Sequence, residues 1–147
     1  MDRIHDFLEP KKMAVAGASR NPKKFGGMVF TELQKRGFDL LPVNPEAGEL
    51  YGVPCFPSVK ALPPGVERLY IVTPAAQTAG VVRDALAYGI KKIWIQQKSD
   101  TPEALELARQ GGAEVIHGRC MMMFAEPVSG VHSFHRWISR LFGQFPR

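Results

Sequence analysis

The sequence predicts an α/β domain: a three-layer, doubly wound architecture on a mainly parallel five-stranded sheet. Three observations carry this. Short apolar runs alternate with helical segments along most of the chain, with turn residues between them. One junction, Met13-Ala14-Val15-Ala16-Gly17-Ala18-Ser19-Arg20-Asn21-Pro22-Lys23-Lys24-Phe25-Gly26-Gly27, reads as buried strand, tight turn and helix start. The length of 147 residues suits one domain with a proper core.

The elements follow in order. Lys12 to Ala16 is the first strand. A helix is expected from Lys24 to Arg36, with Phe25, Val29 and Leu33 on one face and Gly37 as its stop. Asp39 to Val43 is the second strand. The stretch 45–65 is rich in proline and glycine and reads as an irregular crossover with a short strand and turn at most. A strand follows at Arg68 to Val72. Thr73-Pro74 then reads as N-cap plus proline in the first helical position, opening a helix that runs to Tyr88 and ends at Gly89. Ile93 to Ile95 is the next strand. Thr101-Pro102-Glu103 repeats the cap signal, Gly111-Gly112 closes that helix, and Glu114 to Ile116 is the last short strand.

The tail departs from the alternation. Val131, Phe134, Ile138, Leu141 and Phe145 fall at helical spacing with Trp137 beside them, and His132, Arg136 and Arg140 take the other side. This predicts a helical extension over about 128–145, docked on a core of about 5–124 within a single domain 1–147. The alternative is that this helix covers a second copy or a partner chain.

Composition narrows the functional classes. The chain is 45% hydrophobic and 22% charged with a net charge of +5, which suits an anionic ligand. No Lys/Arg run exceeds two residues and no nucleic-acid signature is present, so no nucleic-acid partner is expected. No apolar stretch reaches the roughly 18 residues of a membrane span, and the first residues lack the apolar core of a signal peptide. Cys55 and Cys120 then read as reduced thiols of a cytoplasmic protein.

The chemistry-bearing residues gather where a doubly wound sheet binds ligands, outside the carboxyl ends of its strands. Those ends carry Gly17 to Asn21, Val43-Asn44-Pro45, Val72-Thr73-Pro74, Ile95-Gln96-Gln97 and His117 to Cys120. Lys23 and Lys24 stand at the start of a helix, where cations oppose the macrodipole; an anion bound at the turn removes that conflict. The NAD fingerprint is missing. Its second and third glycines would replace Ser19 and Pro22, and the acid expected at the end of the second strand is absent from Leu40-Leu41-Pro42-Val43-Asn44-Pro45. No paired carboxylates, nucleophile triad or metal motif appears. Cys120 with Met121 to Met123 is no soft-metal site, because consecutive residues cannot all face one ion. His132 and His135 lack a third ligand, and Asp84, Glu103, Glu106 and Arg109 read as solvated helix faces.

Taken together, Gly17-Ala18-Ser19-Arg20-Asn21-Pro22, Pro42-Val43-Asn44-Pro45, Gly52-Val53-Pro54-Cys55-Phe56-Pro57-Ser58, Trp94-Ile95-Gln96 and Arg119-Cys120-Met121-Met122 resemble the small single-domain CoA-binding proteins. A more distant likeness is to the CoA-binding domain of the succinyl-CoA synthetase α subunit. The resemblance implies a Rossmann-like domain with coenzyme A or an acyl-CoA as ligand. It places the phosphates at Gly17, Ala18, Ser19, Arg20 and Asn21, and the adenosine at Val43, Asn44, Pro45, Val72, Thr73 and Pro74. Ile95, Gln96 and Gln97 then lie nearer the pantetheine arm.

Two departures matter. The synthetase's CoA-binding lysine after the second strand is replaced by Glu46-Ala47-Gly48, leaving Arg20, Lys23 and Lys24 to neutralise phosphate. The synthetase's phosphorylated histidine belongs to a second domain, so ligase activity is not carried over. At the thiol end, Cys120 reads either as a small packed side chain or as a thiol activated by Arg119 for mixed-disulfide formation. The expectation is a CoA-binding module without catalysis of its own. The alternatives are an acyl-CoA-using enzyme or ligase subunit completed by another chain, and an NAD(P)-type binder. A side chain introduced at Gly17 is expected to block the ligand while sparing the fold.

Overall fold

A computed structural model of the chain describes residues 2–119. Five parallel strands form the central sheet: β1 (Lys12–Ala16), β2 (Asp39–Val43), β5 (Arg68–Ile71), β6 (Lys92–Gln96) and β7 (Glu114–Arg119), in the order β2-β1-β5-β6-β7. A two-stranded antiparallel hairpin, β3 (Glu49–Leu50) and β4 (Val53–Pro54), interrupts the crossover from β2 to β5, followed by a 3-10 turn at Val59–Ala61. The helices are α1 (Asp2–Leu8), α2 (Phe25–Lys35), α3 (Ala75–Tyr88) and α4 (Pro102–Gln110).

Alternation along the strands builds the three layers. Met13, Val15, Leu40, Tyr70 and Trp94 face one side and pack with α1 and α2. Ala14, Ala16, Leu69, Ile71, Ile93 and Ile95 face the other and pack with α3, α4 and the 3-10 turn. Burying a ring such as Phe30, which has no exposed surface, is worth about 1.5–3 kcal/mol.

Pro42 is tolerated inside β2 because that strand is an edge. Its carbonyl accepts from Phe56 N, so its nitrogen, on the same side in a parallel strand, also points away from β1 and the ladder loses no donor.

The structure departs from expectation at several points. α1 is an additional helix: Ile4, Phe7 and Leu8 enter the core, Phe7 meets Trp94 edge-on at 5.6 Å, and Asp6 pairs with Lys92 at 2.6 Å. The expected cap of α3 shifts by one residue. Pro74 is the cap, and the Thr73 hydroxyl instead lies 2.9 Å from that of Thr78. Thr101 does cap α4, accepting from Ala104 N at 3.0 Å. β6 and β7 run longer than expected, because pairing with neighbours carries them past their apolar centres. The tail expected over 128–145 lies outside the described residues.

Candidate ligand-binding site

Between β1 and β5 the chain reverses its direction of winding: β2 lies on one side of β1 and β5 on the other. Loops leaving the carboxyl ends of such neighbouring strands part, and the crevice they leave is where α/β sheets bind ligands. Here a cleft of about 610 Å³ opens at that point, lined from the turn after β1, the end of β2, the crossover and α3.

Two glycines set the turn. Gly17 has φ +100°, and a Cβ there would lie 2.7 Å from both Thr73 N and Val72 C. A Cβ on Gly26, in the first turn of α2, would lie 2.1 Å from Gly17 O. The turn is therefore held in backbone contact between the end of β5 and the start of α2. The expectation that a side chain at Gly17 would spare the fold is corrected: it would meet backbone that has nowhere to go.

The turn's polar side chains mostly serve the turn itself. Ser19 Oγ accepts from Asn21 N at 3.1 Å, and Asn21 Oδ1 accepts from Lys23 N at 2.9 Å. Asn44 Nδ2 donates to Ala18 O at 3.0 Å while its Oδ1 accepts from Glu46 N at 2.8 Å. The Asn44 amide is thus occupied in shaping the loop. Lys24 caps α2 without a side-chain hydrogen bond, and no acid stands in the first turn. The positive end of the helix beside the cleft is left without an anionic partner from its own first turn.

The cleft gathers Gly17, Ala18, Ser19, Arg20, Asn21 and Lys24 from the turn, with Val43, Asn44, Pro45, Thr73 and Pro74 from the neighbouring strand ends. Lys23 is exposed beside it but does not line it. Val72 is buried at 8% exposure. Ile95 and Gln96 are interior: Ile95 packs under α3 and α4, and Gln96 accepts a hydrogen bond from the buried Tyr70 phenol. Of that trio only Gln97 is exposed. Cys120 and the side chain of Arg119 lie outside what the structure describes. His117, one strand further along the sheet, pairs with Asp100 at 3.5 Å.

The wall opposite the turn was not anticipated. Pro57, Ser58 and Val59 reach it from the crossover, and Gln77, Val81 and Asp84 from one face of α3. Their i, i+4, i+7 spacing is the signal that could have revealed them. Asp84, expected on a solvated face, instead lines the cleft half-buried, with Lys60 at 4.0 Å. Arg20 and Lys24 share the lining of the cleft with two carboxylates, Glu46 and Asp84. Cys55 packs behind, its thiol directed at the carbonyl of Asn44 at 3.7 Å, and burial pushes its pKa up. Among the described residues no group of three or more His, Cys, Asp or Glu side chains is placed to hold a metal. The site sets the start of α2 beside the cations Arg20 and Lys24, groups suited to holding an anion.

Residues 11–126 match the CoA binding domain family. The uncharacterized protein YneT of Bacillus subtilis is 29% identical over 119 residues, covering 80% of this chain and 88% of its own. The α subunit of an ADP-forming acetate–CoA ligase II from Pyrococcus furiosus is 31% identical, but the match covers 78% of this chain and only 28% of that subunit. Among solved structures, a conserved hypothetical protein from Pyrococcus furiosus superposes with a TM-score of 0.73 at 37% identity, covering 76% of this chain and 97% of the other.

Proposed function

The chain belongs to the CoA binding domain family, and on that premise we propose that it binds coenzyme A or an acyl-CoA in the cleft between β1 and β5. The observation that carries this reading is the turn 17–21, seated against α2 where a Cβ on Gly26 would lie 2.1 Å from Gly17 O. That contact brings loop backbone and helix terminus together at one point, as a pyrophosphate requires. Gly17 to Asn21, with Arg20 and Lys24 beside them and Lys23 just outside, would hold the phosphates. Val43, Pro45, Val59 and Val81 supply apolar wall for the adenosine. The pantetheine arm would leave along the carboxyl edge past Gln97 toward the end of β7. The residues present fit the group.

Calorimetry tests the assignment. We expect coenzyme A to bind at micromolar affinity or tighter, with NAD and NADP weaker by about tenfold, a difference of about 1.4 kcal/mol. The reason is that Asn44, where a ribose-binding acid would stand, is committed to Ala18 O. NAD affinity equal to that for coenzyme A overturns the reading.

Charge gives a second check. Replacing both Lys23 and Lys24 by Gln should weaken coenzyme A binding by about tenfold at low salt and flatten its salt dependence, since nearby cations act through screened Coulomb attraction. Binding with unaltered salt dependence would place the phosphates elsewhere.

The ligase relative supports a second reading, in which this chain is the CoA-binding part of an acyl-CoA-forming assembly. The match covers 28% of that subunit's length, and in this reading the remaining machinery would lie outside this domain. No turnover of acyl-CoA is expected from this chain alone. No helix among the described residues is long and apolar enough to cross a membrane. We propose a cytoplasmic location, where a thiol such as that of Cys55 would stay reduced.

A further inference from the structure

The tip of the hairpin carries an unexpected residue. Tyr51 and Gly52, the two residues between β3 and β4, both have positive φ, +48° and +84°. This is the primed hairpin turn that favours Asn, Asp or Gly in its first position, and an aromatic residue there is conformationally disfavoured. Such strain persists where the surroundings demand that side chain.

The demand is visible at the other end of the ring. The Tyr51 phenol donates to Ser19 O at 2.7 Å, its ring stacks on Phe30 at 5.7 Å, and Gln34 Nε2 donates to its carbonyl at 3.3 Å. The phenol also needs Gly27 to be bare, since a Cβ there would lie 2.8 Å from the hydroxyl. Tyr51 does not line the cleft; it reaches the turn from the α2 side.

We propose that Tyr51 is a positioning residue for the ligand, acting through the turn. A trans peptide points its C=O and N–H in opposite directions. By holding the Ser19 carbonyl on the hairpin side, the phenol turns the N–H of Arg20 toward the cleft. Asn44 grips the preceding carbonyl, that of Ala18, so two struts from separate segments orient consecutive peptide groups. The phenol is protonated at neutral pH and so donates, and burial pushes its pKa further above the ordinary value. As a role in coenzyme A binding this rests on the function proposed above; as a statement about the turn it stands apart from it.

Tyr51→Phe keeps the ring on Phe30 and removes only the hydroxyl. In the ligand-free protein the amide resonances of Ser19 and Arg20 should move, and the affinities for coenzyme A and inorganic pyrophosphate should both fall by about tenfold, the loss expected for one misdirected donor. Unmoved amide resonances overturn the proposal whatever the ligand. A lowered melting temperature with unchanged affinities makes Tyr51 a packing residue and overturns it as well. If the unsubstituted protein binds neither compound, the coenzyme A reading fails by itself, and the amide shifts still decide the strut.

Discussion

Gly26→Ala is expected to lower coenzyme A affinity by a hundredfold or more, about 2.7 kcal/mol, and to destabilise the protein. The sign makes this informative. Alanine is the better helix former by up to about 1 kcal/mol, so on propensity alone the substitution should stabilise α2. Against this, its Cβ would lie 2.1 Å from Gly17 O and 3.4 Å from Ser19 N, contacts with backbone that cannot rotate away. Overpacking of this kind costs about 1–3 kcal/mol, enough to reverse the propensity gain. Denaturant titration and calorimetry on the same sample give both quantities. A stabilised variant with full affinity would mean that the turn does not rest on the helix.

Gly17→Glu should do more damage, and to the fold as well as the ligand. The left-handed backbone at φ +100° disfavours any side chain, and the Cβ would press on Thr73 N and Val72 C at 2.7 Å. Those atoms belong to the end of β5 and its exit into α3, and parting them from β1 opens the sheet at its centre. A loss of about 3 kcal/mol or more is expected, a large share of a domain's stability. Urea unfolding should show a much lower midpoint together with absent binding. A midpoint equal to that of the unsubstituted protein would show that the turn can lift from β5.

The parts legible in the sequence were those set by local chemistry. Strand β1, strand β2 and the Thr101 cap follow from residues next to one another, and the parallel sheet follows from their alternation. The turn at Gly17 was legible because strand, glycine and helix start are contiguous. What stayed hidden depends on contacts across the chain. Helix α1 exists because Phe7 finds Trp94 and Asp6 finds Lys92, at sequence separations that no local pattern reveals. Asp84 read as solvated because helical periodicity identifies a face but not what lies opposite it. Ile95 and Gln96 sit at a strand end, yet the sheet continues far enough to bury them. Tyr51 looked like part of an irregular crossover, since only the folded chain brings it to Ser19.

The supports of the turn also say when during synthesis the site can exist. Ser19 leans on a residue 32 positions later, Ala18 on one 26 positions later, and Gly17 abuts the backbone of Val72 and Thr73. The Thr73 carbonyl is in turn held by Ser99 at 2.7 Å. A nascent chain that has emerged only through β2 therefore has the residues of the turn but not their arrangement. A ligand of this cleft could engage only after β5 has entered the sheet, and would then add its binding free energy to the whole domain, about 2.7 kcal/mol at a hundredfold excess over Kd. On the function proposed above, coenzyme A would act as a late brace on the newly made protein, favouring completed chains over stalled ones.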